Sequence, residues 1–171
     1  MPRKAVTQPT TTAGEPGKVT PLLVLQRFRV LIRTAQRHSQ WIERQSGITG
    51  AQLWAILELS EKPGLRVGEL ANLMALHQST ASNMIDKLES SALVRKERTS
   101  ADQRVVRLYL TEAGAELLSS APSPARGVLP EALRLLGTEE LACLQRDLDN
   151  LLEQIKHLDE GFGMQPLPFT E

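Results

Sequence analysis

One change of period limits what this chain can fold into. Along most of its 171 residues the apolar side chains recur at three- and four-residue steps, but over "LVRKERTSADQRVVRLYL", residues 93–110, the step shortens to two. Val106, Leu108 and Leu110 alternate there with Val105, Arg107 and Tyr109, the mark of a half-buried strand. The polar centre "RTSADQR", with Ser100, Asp102 and Gln103 together, is turn-forming, so the stretch reads strand, loop, strand. A lone hairpin is unstable in water and needs a helical layer beneath it. The chain is therefore expected to be mainly α with a small β-hairpin.

The helices are legible around that hairpin. Residues 1–20, with Pro2, Pro9, Pro16 and a threonine run, bury too little to order themselves and are expected to form a flexible arm. Leu25, Phe28, Leu31, Ile32, Ala35 and Ile42 then mark one stripe of a helix from Leu22 to about Gly47. At 1.5 Å per residue it is roughly 36 Å long, more than a compact domain of this size covers alone. Thr49 is the expected N-cap of a second helix with Leu53, Ile56 and Leu57 inward, stopped by "EKPG". A short third helix, "VGELANLM", should bury Val67, Leu70 and Leu73. In the fourth, Ala81, Met84, Ile85 and Leu88 fall at i, i+3, i+4 and i+7, leaving Gln78, Ser79, Ser82, Asn83 and Lys87 on the other face.

Beyond the hairpin a helix is expected from Thr111 to about Leu136, kinked or broken near Pro122 and Pro124. The last helix, opened by Thr138 and closed near Gly161, carries Leu141, Leu144, Leu148, Leu151, Ile155 and Leu158 at steps of 3 and 4. That alternation suits a helix packing along a partner helix, although an ordinary core-facing helix also accounts for it. Together with the long first helix it points to terminal helices interlocking between two subunits. The expected organisation is an arm at 1–20, a dimerisation helix at 21–48, a central lobe at 49–112 that carries the hairpin, C-terminal dimerisation helices at 113–162 and a tail at 163–171.

Charge is uneven although Lys/Arg and Asp/Glu balance at 20 each. Residues 1–44 hold eight basic against two acidic side chains, residues 111–171 hold four against eleven, and 94–110 hold five against two. A basic hairpin can contact a polyanion while an acidic C-terminal segment keeps the chain soluble. No apolar run reaches the roughly 18 residues of a membrane span, and the N-terminus has no secretory apolar core, so no membrane partner and a cytoplasmic location are expected. The one cysteine, Cys143, excludes an internal disulfide and lies between seam leucines, where packing is the expected role. His38, His77 and His157 are too scattered for a metal site. There is no glycine-rich phosphate loop and no nucleophile beside a base, so neither catalysis nor a cofactor is expected.

Helix, tight turn, polar-faced helix and basic hairpin follow in the order of a winged helix-turn-helix. A helix over Gln78–Ser90 can lie in the major groove of double-stranded DNA, where each base pair presents a distinct donor and acceptor pattern. Gln78 and Asn83 can pair with adenine edges, while Ser79, Thr80, Ser82 and Lys87 suit phosphates or bases. The hairpin tip then reaches the neighbouring minor groove, with Arg104 the candidate for insertion and Arg98 beside it. Asp102 either pairs with one of those arginines or caps the turn.

The chain resembles the MarR family of transcriptional regulators over roughly Leu22 to Leu158. The features that carry the likeness are "STASNMIDKLE", "LVRKE", the "DQR" of the wing and "YLTEAG". The resemblance implies an obligate homodimer on a pseudo-palindromic operator, with Gln78–Ser90 as recognition helix and Asp102 and Arg104 as the wing-tip pair. It also implies a ligand-responsive repressor whose effector, a small phenol or organic carboxylate, binds where the dimer helices meet the lobe. Arg33, His38 and Trp41 lie on the first helix at spacings that bring two of them to one wall of such a pocket; packing by Trp41 and Trp54 with a solvated Arg33 is the alternative. His77 stands where a serine or threonine cap is commoner, and is read as a cap or as plainly exposed. A winged-helix protein-interaction module or a non-specific DNA-coating protein is the competing reading; sequence-specific binding differs from it by a steep salt slope and strong discrimination.

Overall fold

The structure is a computed structural model and describes residues 19–99 and 102–170, with the side chains of Thr99 and of residues 102–104 outside that description. All of the arm expected at 1–20 except Val19 and Thr20 lies outside the described residues, as does Ser100. Helix α1 spans Pro21–Ser46, α2 Gly50–Glu61, α3 Val67–Leu73 and α4 Gln78–Ser90. Strands β1, Val94–Thr99, and β2, Asp102–Leu110, follow, then α5, Glu112–Ser120, α6, Val128–Arg134, and α7, Thr138–Leu152. A final 3-10 turn covers Glu160–Met164. The fold is mainly α with one small antiparallel hairpin, a winged helix-turn-helix.

Local chemistry accounts for the boundaries. Thr20 caps α1, its hydroxyl accepting from Leu23 N–H at 3.3 Å, and Pro21 occupies the first helical position, where no N–H is needed. Gly47 ends the helix at φ +71°, a left-handed conformation that glycine adopts without strain. A capping box opens α2: Gln52 N–H donates to Thr49 Oγ1 at 3.3 Å and Thr49 N–H to Gln52 Oε1 at 2.9 Å.

The core belongs to the lobe. Leu53, Ile56 and Leu59 of α2, Leu70 of α3, Ile85 and Leu88 of α4, Val94 of β1 and Leu108 of β2 are all buried in one cluster with Ile42 from the end of α1. Leu108, fully buried, also pairs with the loop before α3: Gly64 N–H donates to its carbonyl and its own N–H to that of Leu65, both at 2.9 Å. The hairpin thus gains a third edge that the alternating pattern does not announce.

Several expectations are corrected. Leu73 is exposed, and Ala71 and Met74 are buried with Leu70 instead, because a 3.6-residue turn puts 70, 71 and 74 on one face. The interruption expected near Pro122 and Pro124 is, by contrast, present, and is a full break at 121–127 that separates α5 from α6. The last helix stops at Leu152, not near Gly161, so Ile155 and Leu158 lie beyond it. Every residue of α7 is exposed in the single chain, and a helix without tertiary packing loses its main source of stability toward its end. Cys143, expected as packing, is exposed, with Arg146 Nη2 donating to its sulfur at 3.5 Å. In α1 burial is confined to Ala35, Ser39 and Ile42, while Leu22, Leu23, Leu25, Leu31 and Ile32 stand in the open.

Candidate nucleic-acid interface

Helix α4 is held by its buried stripe, Ala81, Met84, Ile85 and Leu88, against the lobe core. The turn from α3 is tight, with Ala75 at φ +52° and Leu76 N–H donating to Ala71 C=O at 2.9 Å. Its opposite face presents Ser79, Asn83 and Lys87 exposed, with Thr80 and Ser82 half-exposed. Gln78 is exposed at the N-terminus, its Oε1 3.7 Å from where a Cβ on Gly68 would stand, so its carboxamide lies alongside α3. His77 is the N-cap residue, yet its side chain makes no capping bond and is exposed.

Beside this face stands the hairpin. Val94 pairs with Leu110, Lys96 with Leu108 and Arg98 with Val106, and the register slips between Arg98 and Thr99. Arg98 is exposed near the tip, while Asp102 and Arg104 lie on β2 with side chains outside the described residues. On the outer face Arg95 sits over the Tyr109 ring at 5.0 Å and pairs with Glu97. Arg107 Nη1 donates to Gly64 C=O at 2.9 Å, tying the wing to the lobe.

Sequence spacing misses the groups that set wing and helix relative to each other. Lys96 of β1 reaches two acids of α4, Asp86 at 2.5 Å and Glu89 at 2.7 Å. Hydrogen bonds to Asp86 and then Glu89 hold the Lys96 ammonium above the ordinary lysine value, against a smaller effect of burial. Both carboxylates would repel phosphates, and Lys96 neutralises part of that charge.

A cavity of about 360 Å³ lies behind the interface, bounded by α1, α2, the α3–α4 turn and α6. Its walls are largely apolar, Ala35, Ile42, Met74 and Leu133 among them, with His38, Ser39, Trp54, Arg126, Gln165 and Thr170 bringing polar groups to it. Of the three residues expected to line an effector pocket, His38 lines this cavity, and Arg33 and Trp41 are not among the lining residues. Trp41 is half-exposed with its ring edge-on to His38 at 5.7 Å. His38 Nε2 is 3.0 Å from Pro124 C=O and must carry the proton there, since a carbonyl only accepts. Buried Glu58 accepts from Trp54 Nε1 and Arg126 Nε, both at 2.8 Å, and Arg126 Nη2 reaches Glu61 at 2.5 Å. Burial works against the Arg126 charge, but hydrogen bonds to Glu61 and Glu58 outweigh it and raise its pKa. These bonds clamp the 121–127 segment to α2 and α1.

Among the described residues, no three of His, Cys, Asp and Glu gather as a metal ion would require, and no helix is long and apolar enough to cross a membrane. A sequence model of the MarR family matches residues 46–105, the whole of α2 to α4 and most of the wing. Over that stretch the chain is similar to the MarR family. Among curated MarR-like regulators it is 28% identical to YsmB, an HTH-type transcriptional regulator of Bacillus subtilis, over 73% of this chain and 91% of that one. It is likewise 28% identical to NicR, an HTH-type transcriptional repressor of Pseudomonas putida, over 90% of this chain and 98% of that one. A solved MepR-like protein in complex with pseudoligands superposes with a TM-score of 0.56 at 25% identity, over 78% of this chain and 94% of that one. These relatives are regulators of transcription.

Proposed function

We propose that the chain is a sequence-specific, double-stranded-DNA-binding repressor that acts as a homodimer on a pseudo-palindromic operator and responds to a small phenolic or carboxylate effector. The observation that carries this is the pairing of a polar-faced α4 with a basic wing on one lobe, while apolar stripes of α1 and α7 stay uncovered in the single chain. Gln78, Ser79, Thr80, Ser82, Asn83 and Lys87 are the groups offered to the major groove, and Arg98 and Arg104, with Asp102, those offered to the minor groove. Residues 21–48 and 113–162 serve dimerisation, 49–112 form the reading lobe, and the protein works in the cytoplasm. The MepR-like neighbour is seen with pseudoligands, which supports reading the cavity of His38, Trp54 and Arg126 as the effector site. At about 360 Å³ it suits a small aromatic molecule, with Arg126 as the cation for a carboxylate.

The test is selection of fragments from the host genome on the immobilised full chain, followed by titration at several salt concentrations. A duplex bound about 10³-fold or more tighter than random DNA is expected. Arg104→Ala should then weaken that binding by about 1–3 kcal/mol and lower the salt slope by about one. Equal affinity for all duplexes sinks the operator reading in favour of a coating protein, and no binding favours a protein-interaction module.

A further inference from the structure

The end of the chain returns to the lobe. After Asp159 caps the 3-10 turn, Met164 C=O accepts the His77 N–H at 2.9 Å and Thr170 C=O accepts the Ala51 N–H at 3.1 Å. Between these anchors Pro166, Leu167 and Phe169 form part of the cavity wall. Pro168 lies in a tight turn in which Thr170 N–H donates to Leu167 C=O at 2.8 Å, and Pro166 and Pro168 both lack the N–H that would be stranded against an apolar wall. The donors it satisfies belong to helix N-termini: Ala51 lies in the first turn of α2, and His77 precedes α4 with no cap of its own. First-turn N–H groups have no partner inside their own helix and bond water when nothing else is offered. Exchanging such bonds with water changes little net free energy, so the anchors hold and release readily. The seat is shallow as well, with Leu167 45% and Phe162 66% exposed. A tail fixed as core would be buried; this one closes a cavity and stays removable.

We infer that residues 160–170 are a lid over the cavity, opening to admit a small aromatic molecule and hooked when closed to the residue before α4. This rests on the reading of the cavity as a ligand site. A Cβ on Gly50 would stand 3.8 Å from Thr170 Cβ, within the span of a disulfide, so the closed lid can be locked. In the full chain carrying Gly50→Cys, Thr170→Cys and Cys143→Ser, oxidation should give a cross-link that runs as a single chain on a denaturing gel. Entry of 1-anilinonaphthalene-8-sulfonate, followed by stopped-flow fluorescence, should slow at least tenfold on oxidation and recover on reduction.

A second full-length variant loosens the lid from the other anchor. His77 sits at φ −60°, which proline adopts, and His77→Pro removes the donor to Met164. Dye entry should become at least threefold faster. A cross-link that fails to form, a dimer-sized product, equal dye entry locked and unlocked, or an unchanged rate in His77→Pro each overturns the lid. The dye measurement uses no DNA, so a working lid on a protein whose operator affinity ignores every ligand would sink the ligand-response reading alone.

Discussion

Gly114 shows how a single residue fixes where the wing starts. A Cβ placed on it would lie 2.2 Å from the carbonyl oxygen of Leu93, a backbone atom that cannot swing aside. That carbonyl already accepts the Thr111 N–H at 3.1 Å, and Thr111 Oγ1 donates to Ala92 C=O at 2.7 Å while accepting from Gly114 N–H at 3.1 Å. The glycine of "YLTEAG" is thus needed for close approach, not for an unusual backbone angle. Gly114→Ala must push the start of α5 away from β1, and overpacking of this kind costs about 1–3 kcal/mol. A urea titration should show a lower midpoint with an unchanged slope; an unaltered midpoint would mean that α5 and Leu93 are not in contact in solution.

At the scale of elements, the tie between β1 and α4 sets the wing relative to α4, and on the proposed function it governs how the two meet DNA. Lys96→Met leaves Asp86 and Glu89 uncompensated on α4. The pairs are largely exposed, so folding stability should fall by no more than about 1 kcal/mol, while DNA affinity drops about tenfold through repulsion of phosphates. Adding Asp86→Asn should restore most of that affinity, and two purely additive losses would show that the lysine does not act through the acid. Because the Lys96 pKa is raised on folding, its contribution is complete below about pH 10, the unfolded lysine range, and is lost as pH climbs through the folded value. What the sequence makes legible here follows from local period: the α4 stripe, the caps and the hairpin alternation all answer to neighbours within a few residues. Lys96 with Asp86, Arg126 with Glu58, and Leu65 with Leu108 join positions from ten to 68 apart, which no spacing rule reaches. The premature end of α7 was illegible for the opposite reason, since Ile155 and Leu158 continue a regular pattern that a single chain gives nothing to pack against.

The whole molecule is unfinished as one chain. Leu141, Leu144, Leu148 and Leu151 of α7, and Leu22, Leu25, Leu31 and Ile32 of α1, line two stripes that water reaches, whereas the lobe core closes without them. Monomeric proteins rarely leave apolar stripes of such length uncovered, and in the proposed homodimer a second copy would supply the matching surface by symmetry. Leu148 makes the decisive substitution because it is 37% exposed and contributes little to the core of its own chain. Leu148→Asp should yield a monomer by sedimentation velocity while the lobe keeps its helical circular dichroism. Operator affinity should fall about 10³-fold, toward the level of non-specific binding, because one lobe engages one half-site without its twin. A folded dimer of Leu148→Asp with full operator affinity would place the subunit contact elsewhere and remove α7 from it.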